Sequence, residues 1–167
     1  MLNRQLPALT HRLEQTLNKL SAPQKKPNGE YISATDWWEL LKSRYHSRNI
    51  EFKNSITSIQ LIPSAVFENV ADNLLDNARK KRMTETNIKV TVYLSAVDSV
   101  TLTVCDSGDS IPEIITSRLF HDIVDSETGL GTGLYQAYRW ADQHGYLLSL
   151  KNNEKGAVCF KLEKKIE

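Results

Sequence analysis

The chain has 167 residues, the length of one globular domain of ordinary size with a substantial core. Hydrophobic residues make up 40% of it and charged residues 25%, both average for a soluble protein. The formal net charge of +1 leaves no basic excess to neutralise nucleic-acid phosphates, so we expect no nucleic-acid partner. No stretch approaches the roughly 18 apolar residues of a membrane span, and no signal peptide opens the sequence. We therefore expect a cytoplasmic domain without direct membrane contact, although its parent protein can still be membrane-anchored.

Residues 1–22 differ in pattern from the rest of the chain. Leucines recur there at spacings of three and four residues, the period of an amphipathic helix. The segment is too short to distinguish a helix that docks on its own domain from one that forms a homodimer. Residues 23–32 contain proline, glycine and charge and predict a linker. The predicted organisation is a helix at 1–22, a linker at 23–32 and one domain at 33–167.

The domain mixes helical and strand periods. Helices are predicted at about 36–48, 66–82 and 134–144. Strands are predicted at 50–52, 59–61, 88–94, 100–104, 146–150 and 157–162. Because the two kinds of element do not alternate strictly, the predicted fold class is α+β. We expect a two-layer α/β sandwich with a mixed sheet and helices on one face, preceded by the N-terminal helix.

The two cysteines, Cys105 and Cys159, lie within apolar, strand-like runs. A cytosolic protein keeps its thiols reduced, and buried cysteine is common in apolar strands. We therefore predict two buried, reduced thiols.

The helix predicted at 66–82 carries an unusual polar stripe. At roughly 100° per residue, its asparagines and one lysine fall within about a 100° arc beside the apolar face. The stripe consists of Asn69, Asn73, Asp76, Asn77 and Lys80. An amide oxygen is a suitable ligand for Mg²⁺, and a lysine one turn later offers a charge for phosphate. This pattern indicates a nucleotide site.

A second motif, DSGDSIP, begins at Asp106, where a predicted strand ends. A carboxylate there can accept a hydrogen bond from the exocyclic amino group of adenine. The competing interpretation is an ordinary Asp-Ser-Gly turn whose aspartate bonds its own backbone. This motif alone favours the ordinary turn.

A third motif, GLGTGL at 129–134, directly precedes a predicted helix. Glycines at alternate positions let backbone N–H groups approach phosphate, and the start of a helix favours negative charge. The motif is neither a Walker A loop nor a dinucleotide fingerprint, because no GK[ST] follows and no strand directly precedes it.

The three motifs in this order resemble those of the Bergerat-fold ATPases, which include type II topoisomerases, Hsp90 chaperones, MutL proteins and histidine kinases. The resemblance covers roughly residues 33–163. Hydrolysing members place a glutamate four residues before the magnesium-binding asparagine, and this chain has Asn73 there. Glu68 would point to another side of the helix, where it cannot take a proton from water. The sequence therefore resembles the catalytic and ATP-binding domain of histidine kinases.

The resemblance implies that the cofactors are ATP and Mg²⁺. It implies that Asn77 coordinates the metal, that Asn73 contacts the phosphates or the metal, and that Lys80 neutralises phosphate charge. Asn73 and Lys80 are therefore the catalytic candidates. Asp106 would bond the adenine amino group, and Gly108 would allow close approach. The remaining ATP-binding candidates are Ile111, Gly129, Leu130, Gly131, Thr132, Gly133 and Leu134.

The sequence departs from the family pattern at two places. Ser110 stands where a second glycine is usual, and the lid at about 120–128 is short. Both changes affect nucleotide affinity more than the identity of the site.

The resemblance also implies a partner, since a histidine kinase needs an acceptor histidine. We interpret His11, His46, His121 and His144 as ordinary residues and expect a catalytic fragment that lacks its acceptor. Residues 1–22 resemble the second helix of a dimerisation hairpin and suggest a homodimer. The expected partners are a histidine-bearing dimerisation domain of the same parent protein and, indirectly, a response regulator. Two alternatives stay open: a serine kinase of the anti-sigma-factor type and a degenerate ATP-binding regulatory module.

Overall fold

The computed structural model describes residues 30–46, 48–121 and 132–167. The helix predicted at 1–22, most of the predicted linker, and Gly129, Leu130 and Gly131 lie outside these ranges. Within them, the strands are Tyr31–Ser33 (β1), Ile50–Asn54 (β2), Leu61–Pro63 (β3), Val90–Ala96 (β4), Val100–Asp106 (β5), Tyr146–Glu154 (β6) and Ala157–Lys164 (β7). The helices are Ala34–Tyr45 (α1), Ser64–Thr84 (α2), Glu113–Thr116 (α3) and Thr132–Gln143 (α4).

The main sheet has the strand order β2-β4-β5-β7-β6. Strand β2 pairs with β4 in parallel, and the other neighbours pair antiparallel, so the sheet is mixed. Strands β1 and β3 form a separate antiparallel pair. The predicted α+β sandwich with a mixed sheet is confirmed.

The core lies between one face of the sheet and the helices α2 and α4, which also contact each other. Strand β5 shows the alternation that produces this layer: Val100, Leu102 and Val104 are buried, and the residues between them are more exposed. Helix α2 buries an apolar face at helical spacing, including the fully buried Phe67 and Val70. Each large side chain buried in this way contributes roughly 1.5–3 kcal/mol.

Two features of the chain's first part depend on pairing between distant residues. Strand β1 begins at Tyr31, inside the predicted linker, because Tyr31 pairs with Pro63 of β3. The backbone N–H of Ala34 donates to the carbonyl of Gln60, which fixes α1 beside β3. Neither partner is close in sequence, so no local pattern could predict these contacts.

The prediction of reduced, buried thiols is wrong for this structure. Cys105 of β5 and Cys159 of β7 form a disulfide, with Cα atoms 4.1 Å apart. They are directly opposed in the antiparallel register and are only partly buried. Their neighbours Val104 and Val158 are buried on the helix side, so the disulfide lies on the opposite face of the sheet. The pairing follows from strand register, which the apolar runs alone do not reveal.

Candidate nucleotide-binding site

A cavity of about 80 Å³ lies between the C-terminal half of α2, the ends of β5 and β7, and the loop that follows β5. Its apolar lining consists of Leu74, Ala78, Val104, Ile111, Pro112, Val158 and Phe160. Polar side chains that line it include Asn77, Lys81 and Asp106. Pockets that hold drug-sized ligands usually exceed about 300 Å³, so a bound nucleotide requires side chains to move here.

Asp106 ends β5 and lies at the wall of this cavity with its side chain 12% exposed. Its Oδ1 atom accepts a hydrogen bond from the backbone N–H of Gly108, 2.9 Å away. This bond is the local aspartate turn that the competing interpretation predicted. The same carboxylate nevertheless lines the cavity, so the turn and a ligand-binding role are compatible.

Lys81 is the main site residue that the sequence interpretation missed. Its Nζ atom lies 2.9 Å from Asp106 Oδ1 and donates to the carbonyl of Asp109 at 2.7 Å. Its side chain is 19% exposed. The asparagines of α2 recur every four residues at 69, 73 and 77, and this spacing continues to Lys81 rather than to Lys80. That signal was present in the sequence.

Gly108 is needed because the loop after β5 passes close to the end of α2. A Cβ atom on this residue would lie 2.5 Å from Lys81 Cε, 2.7 Å from Glu85 Oε2 and 2.9 Å from Ile88 Cδ1. The Glu85 carboxylate also accepts the backbone N–H of Asp109 at 2.9 Å. The groups that approach Gly108 closely in this structure are therefore side chains of the protein.

Ile111 is 5% exposed and forms part of the apolar wall. The side chain of Asn153 on β6 bonds both backbone groups of Ile111. It accepts from the N–H at 2.7 Å and donates to the carbonyl at 2.8 Å. The N–H of Gly156 donates to the carbonyl of Gly108 at 2.9 Å. The loop is thus fixed to both α2 and the β6–β7 hairpin.

The two candidate asparagines lie one turn apart on α2. Asn77 lines the cavity, and its buried Nδ2 atom has no hydrogen-bond partner among the described residues. Asn73 donates from Nδ2 to the carbonyl of Asn69 at 2.8 Å. A Cβ atom on Gly133 would lie 2.7 Å from Asn73 Oδ1. The structure therefore brings the end of the glycine motif against the asparagine helix.

The rest of the glycine motif is described only in part. Thr132 begins α4, and Leu134 is fully buried in the core. Gly129, Leu130 and Gly131 are outside the described residues.

Lys80 lies on the surface of α2 and does not line the cavity described above. Its Nζ atom pairs with Asp76 Oδ2 at 3.1 Å, and its side chain is 45% exposed. Asp76 also accepts from Arg79 at 2.8 Å. Partial burial tends to raise the pKa of Asp76, but hydrogen bonds and charge from Arg79 and Lys80 outweigh it and lower the pKa. Lys80 would have to leave this carboxylate to contact a phosphate.

Glu68 contacts a different part of the molecule from the asparagines. Its Oε1 atom accepts from Arg44 of α1 at 2.8 Å. Asn73, five residues later, lies against Gly133 of α4. This arrangement supports the expectation that Glu68 is directed away from the reacting groups.

The residues present fit a magnesium ion held mainly by nucleotide phosphates. Among residues 30–46, 48–121 and 132–167, no cluster of three or more His, Cys, Asp or Glu side chains could hold a metal. Mg²⁺ in nucleotide sites usually takes only one or two protein oxygens, with water and phosphates completing the shell. The Asn77 amide can turn its oxygen toward the cavity because its nitrogen has no partner to lose there.

Comparison with known proteins identifies the family. Residues 64–167 match the family described as Histidine kinase-, DNA gyrase B-, and HSP90-like ATPase. The chain belongs to this family. Because the match covers α2, the cavity and α4, the candidate site falls within the family's ATP-binding domain.

The chain is also similar in sequence to sensory kinases. The chain is 34% identical over 149 residues to the adaptive-response sensory kinase SasA of Prochlorococcus marinus strain AS9601. That match covers 83% of this chain and 39% of the kinase, so the chain spans about two fifths of this relative.

Solved histidine kinases share the fold. The histidine kinase AdeS of Acinetobacter baumannii aligns with a TM-score of 0.68 at 20% identity, covering 99% of this chain and 82% of that one. The histidine kinase ThkA, solved in complex with the response regulator protein TrrA, aligns with a TM-score of 0.64 at 20% identity, covering 95% and 49%. The predicted resemblance to histidine kinase catalytic domains is confirmed. None of the helices in the described part of the chain is long and apolar enough to cross a membrane.

Proposed function

We propose that this chain is the ATP-binding catalytic domain of a sensor histidine kinase. It binds Mg-ATP and transfers the γ-phosphoryl group to a histidine on a separate dimerisation domain. The observation that carries this proposal is the contact between Asn73 and Gly133, which joins the asparagine helix to the end of the glycine motif. The cavity with Asp106 lies further along the same helix and provides a base site.

The residues divide between the two ends of the nucleotide. Asp106 accepts the adenine amino group, and Ile111 and Phe160 provide apolar walls for the ring. Asn77 and Asn73 face the phosphates, where Asn77 would hold Mg²⁺. Lys80, once released from Asp76, and the glycine motif would contact the phosphates. When bound, Mg²⁺ neutralises phosphate charge, and the protein contributes mainly position and electrostatic stabilisation.

Transfer to a side chain is favoured over hydrolysis because helix α2, which is described in full, directs no carboxylate base to the place of the phosphates. Asn73 is an amide and cannot take a proton from water. Glu68 is paired with Arg44 at 2.8 Å, on the side of α2 that contacts α1. A general base must lie within hydrogen-bond reach of the proton that it removes. Without such a base, bound ATP persists until an acceptor histidine reaches the γ-phosphate.

The partners follow from this activity. The acceptor belongs to a histidine-bearing dimerisation domain of the same parent protein, and a response regulator receives the phosphoryl group from that domain. Residues 1–22 would form part of a homodimer, and the domain would act in the cytoplasm.

The proposal is tested by isothermal titration calorimetry of the chain with Mg-ATP. We expect binding that Asp106→Asn weakens at least about ten-fold, since the carboxylate acceptor is replaced by a neutral amide. An absence of binding, or equal affinity in the variant, would overturn the assignment.

A degenerate ATP-binding module is the second candidate. Two observations favour it: Ser110 occupies the position of a usual glycine, and the cavity is only about 80 Å³. ATP binding without phosphoryl transfer to a supplied histidine hairpin would support this module over the kinase.

A further inference from the structure

The disulfide lies in the part of the sheet that forms one wall of the base cavity. Strands β5 and β7 pair there through three consecutive pairs of opposed residues, which are Val104 and Phe160, Cys105 and Cys159, and Asp106 and Val158. All four residues of the two outer pairs line the cavity. The bridge therefore joins the two strands between the pairs of residues that form the site.

The bridge is reached from the other face of the sheet. Both cysteines are half-buried, whereas Val104 and Val158 are buried on the helix side. The two cysteines line a groove of about 520 Å³ on the outer face, together with residues of β4 and β6. Grooves of this volume are large enough to admit a small molecule. A small thiol can therefore approach the disulfide without entering the nucleotide cavity.

The disulfide stands in a domain that we propose to be cytoplasmic. Disulfides are rare in the cytoplasm, and those that do form there are usually transient and either catalytic or redox-sensing. The main small thiol of that compartment is glutathione, which exists there together with its disulfide. The outer groove is where glutathione would meet the bridge.

Reduction by glutathione proceeds by two exchange steps. A glutathione thiolate attacks one sulfur of the bridge, so that a mixed disulfide forms and the other cysteine leaves as a thiolate. A second glutathione thiolate attacks the glutathione sulfur of the mixed disulfide and releases the remaining cysteine. The two electrons come from two glutathione molecules, which leave as one glutathione disulfide, and their protons pass through solvent to the cysteines. Oxidation is the same exchange in reverse.

We propose that Cys105 and Cys159 form a reversible redox site that sets the affinity for nucleotide. In the oxidised chain, the bridge holds the cavity-lining pairs on either side of it in place. In the reduced chain, backbone hydrogen bonds and packing alone join β5 to β7, so the wall that carries Asp106 and Phe160 is held less firmly. Because a preorganised site loses less freedom on binding, the oxidised chain has the higher affinity. This inference rests on the proposed nucleotide-binding function and on the proposed cytoplasmic location.

The first measurement is the redox behaviour of the folded chain. The oxidised chain is incubated with glutathione at the cytoplasmic ratio of its reduced and disulfide forms, and thiols are counted by mass after maleimide labelling. We expect two thiols per chain, and the bridge should form again when glutathione disulfide is raised. A bridge that opens only after unfolding in urea would overturn the inference, since the disulfide would then be purely structural.

The second measurement is calorimetry with Mg-ATP and with adenosine on the oxidised chain, the reduced chain and C105S/C159S. Both ligands should bind about three- to ten-fold more weakly to the reduced chain, since both use the base cavity. C105S/C159S should match the reduced chain and should not respond to glutathione. Equal affinities of the oxidised and reduced chains would overturn the inference.

Ile62→Ala is the matched control for a loss of stability alone. Ile62 is 1% exposed in β3, which belongs to the separate strand pair, and it lies outside the lining of the cavity. Truncation of a buried isoleucine costs stability of the same order as loss of a disulfide. We expect I62A to keep the ATP affinity of the oxidised chain. A loss equal to that of the reduced chain would mean that general destabilisation explains the effect, and would overturn the inference.

The same titrations separate this inference from the proposed function. If the oxidised chain binds neither ATP nor adenosine, the two fail together. ATP binding that does not depend on the state of the cysteines contradicts the redox site and leaves the proposed function standing.

Discussion

The base end and the phosphate end of the candidate site differ in how their polar groups are held. At the base end, Asp106 Oδ1 accepts from both Lys81 Nζ and the backbone N–H of Gly108, each at 2.9 Å. At the phosphate end, Asn77 Nδ2 has no partner among the described residues, and Lys80 is 45% exposed on the helix surface. The polar groups of the base end are bonded to one another's elements, whereas those of the phosphate end are unpartnered, as at Asn77 Nδ2, or bonded within α2, as at Asn73 and Lys80. Preorganised groups contribute more to affinity because less freedom is lost on binding.

Removal of the disulfide should have the largest effect on stability. Cys105 and Cys159 are 54 residues apart in sequence, and closure of a loop of this size stabilises a fold by about 2–4 kcal/mol. We expect the C105S/C159S variant to lose that amount in urea unfolding, compared with the oxidised chain.

The matched control for this variant is the unmodified chain in excess reductant, which should unfold at the same urea concentration. Adenosine binding should also weaken, because the bridged strands carry Asp106 and Phe160 of the base end. Unchanged stability in both samples would show that the disulfide does not hold these strands together.

Gly108→Ala should disrupt the base end next most strongly. The added methyl group would lie 2.5 Å from Lys81 Cε and 2.7 Å from Glu85 Oε2, so both side chains must shift. Because both atoms belong to the ends of flexible side chains, we expect a loss near ~1 kcal/mol, the lower end of the range for overpacking. Urea unfolding should show this loss, and calorimetry should show weaker binding of adenosine as well as ATP. Normal adenosine affinity in the variant would mean that the base end is less fixed than its bonds indicate.

Asn77→Ala should affect the phosphate end more than the base end. We expect the affinity for Mg-ATP to fall about ten-fold, since one ligand to the metal is lost, and the affinity for adenosine to fall clearly less, since Asn77 is one of many residues that line the base cavity. The unpartnered amide also implies little loss of stability on its removal. Calorimetry with ATP and with adenosine measures both expectations. An equal loss for the two ligands would contradict the division of the site into two ends.

The smallest effect concerns a bond away from both ends. Tyr45 donates from its hydroxyl to Asp72 Oδ1 at 2.7 Å. Burial, together with the hydrogen bond to Asp72 and its charge, raises the pKa of Tyr45 from 10.0 to about 12. The folded chain therefore keeps this proton where the unfolded chain loses it. The contribution of the Tyr45 hydroxyl to the free energy of unfolding is present below pH 10 and is lost as the pH rises toward about 12. Unfolding curves of Tyr45→Phe should lack this part of the alkaline decline, with nucleotide affinity at neutral pH unchanged.

The sequence predicted those parts of the fold and site that depend on local pattern. The apolar spacing of α2 and the alternation of β5 are periodic signals, and both elements were confirmed. Asp106 was predicted to end a strand, and it does. These features follow from residues within one or two turns of one another.

The parts that were missed depend on contacts between distant segments. The disulfide follows from the register of β5 against β7, and β1 exists because it pairs with β3. Lys81 enters the site only because the loop after β5 returns to the end of α2. Its four-residue spacing from Asn77 places it on the correct side of the helix, but Lys80 also falls within the predicted polar stripe and was chosen instead. Helix α3 is a single turn and too short to give a periodic signal.

The central claim, phosphoryl transfer to a histidine, is tested most directly with γ-labelled ATP. The chain is incubated with Mg²⁺ and a dimerisation hairpin that carries an acceptor histidine, and the label on each protein is measured after acid and after alkali. We predict acid-labile, alkali-stable label on the hairpin, none on the chain alone, and little free phosphate when the hairpin is absent. Rapid phosphate release without the hairpin, or acid-labile phosphohistidine on the chain by itself, would contradict this account.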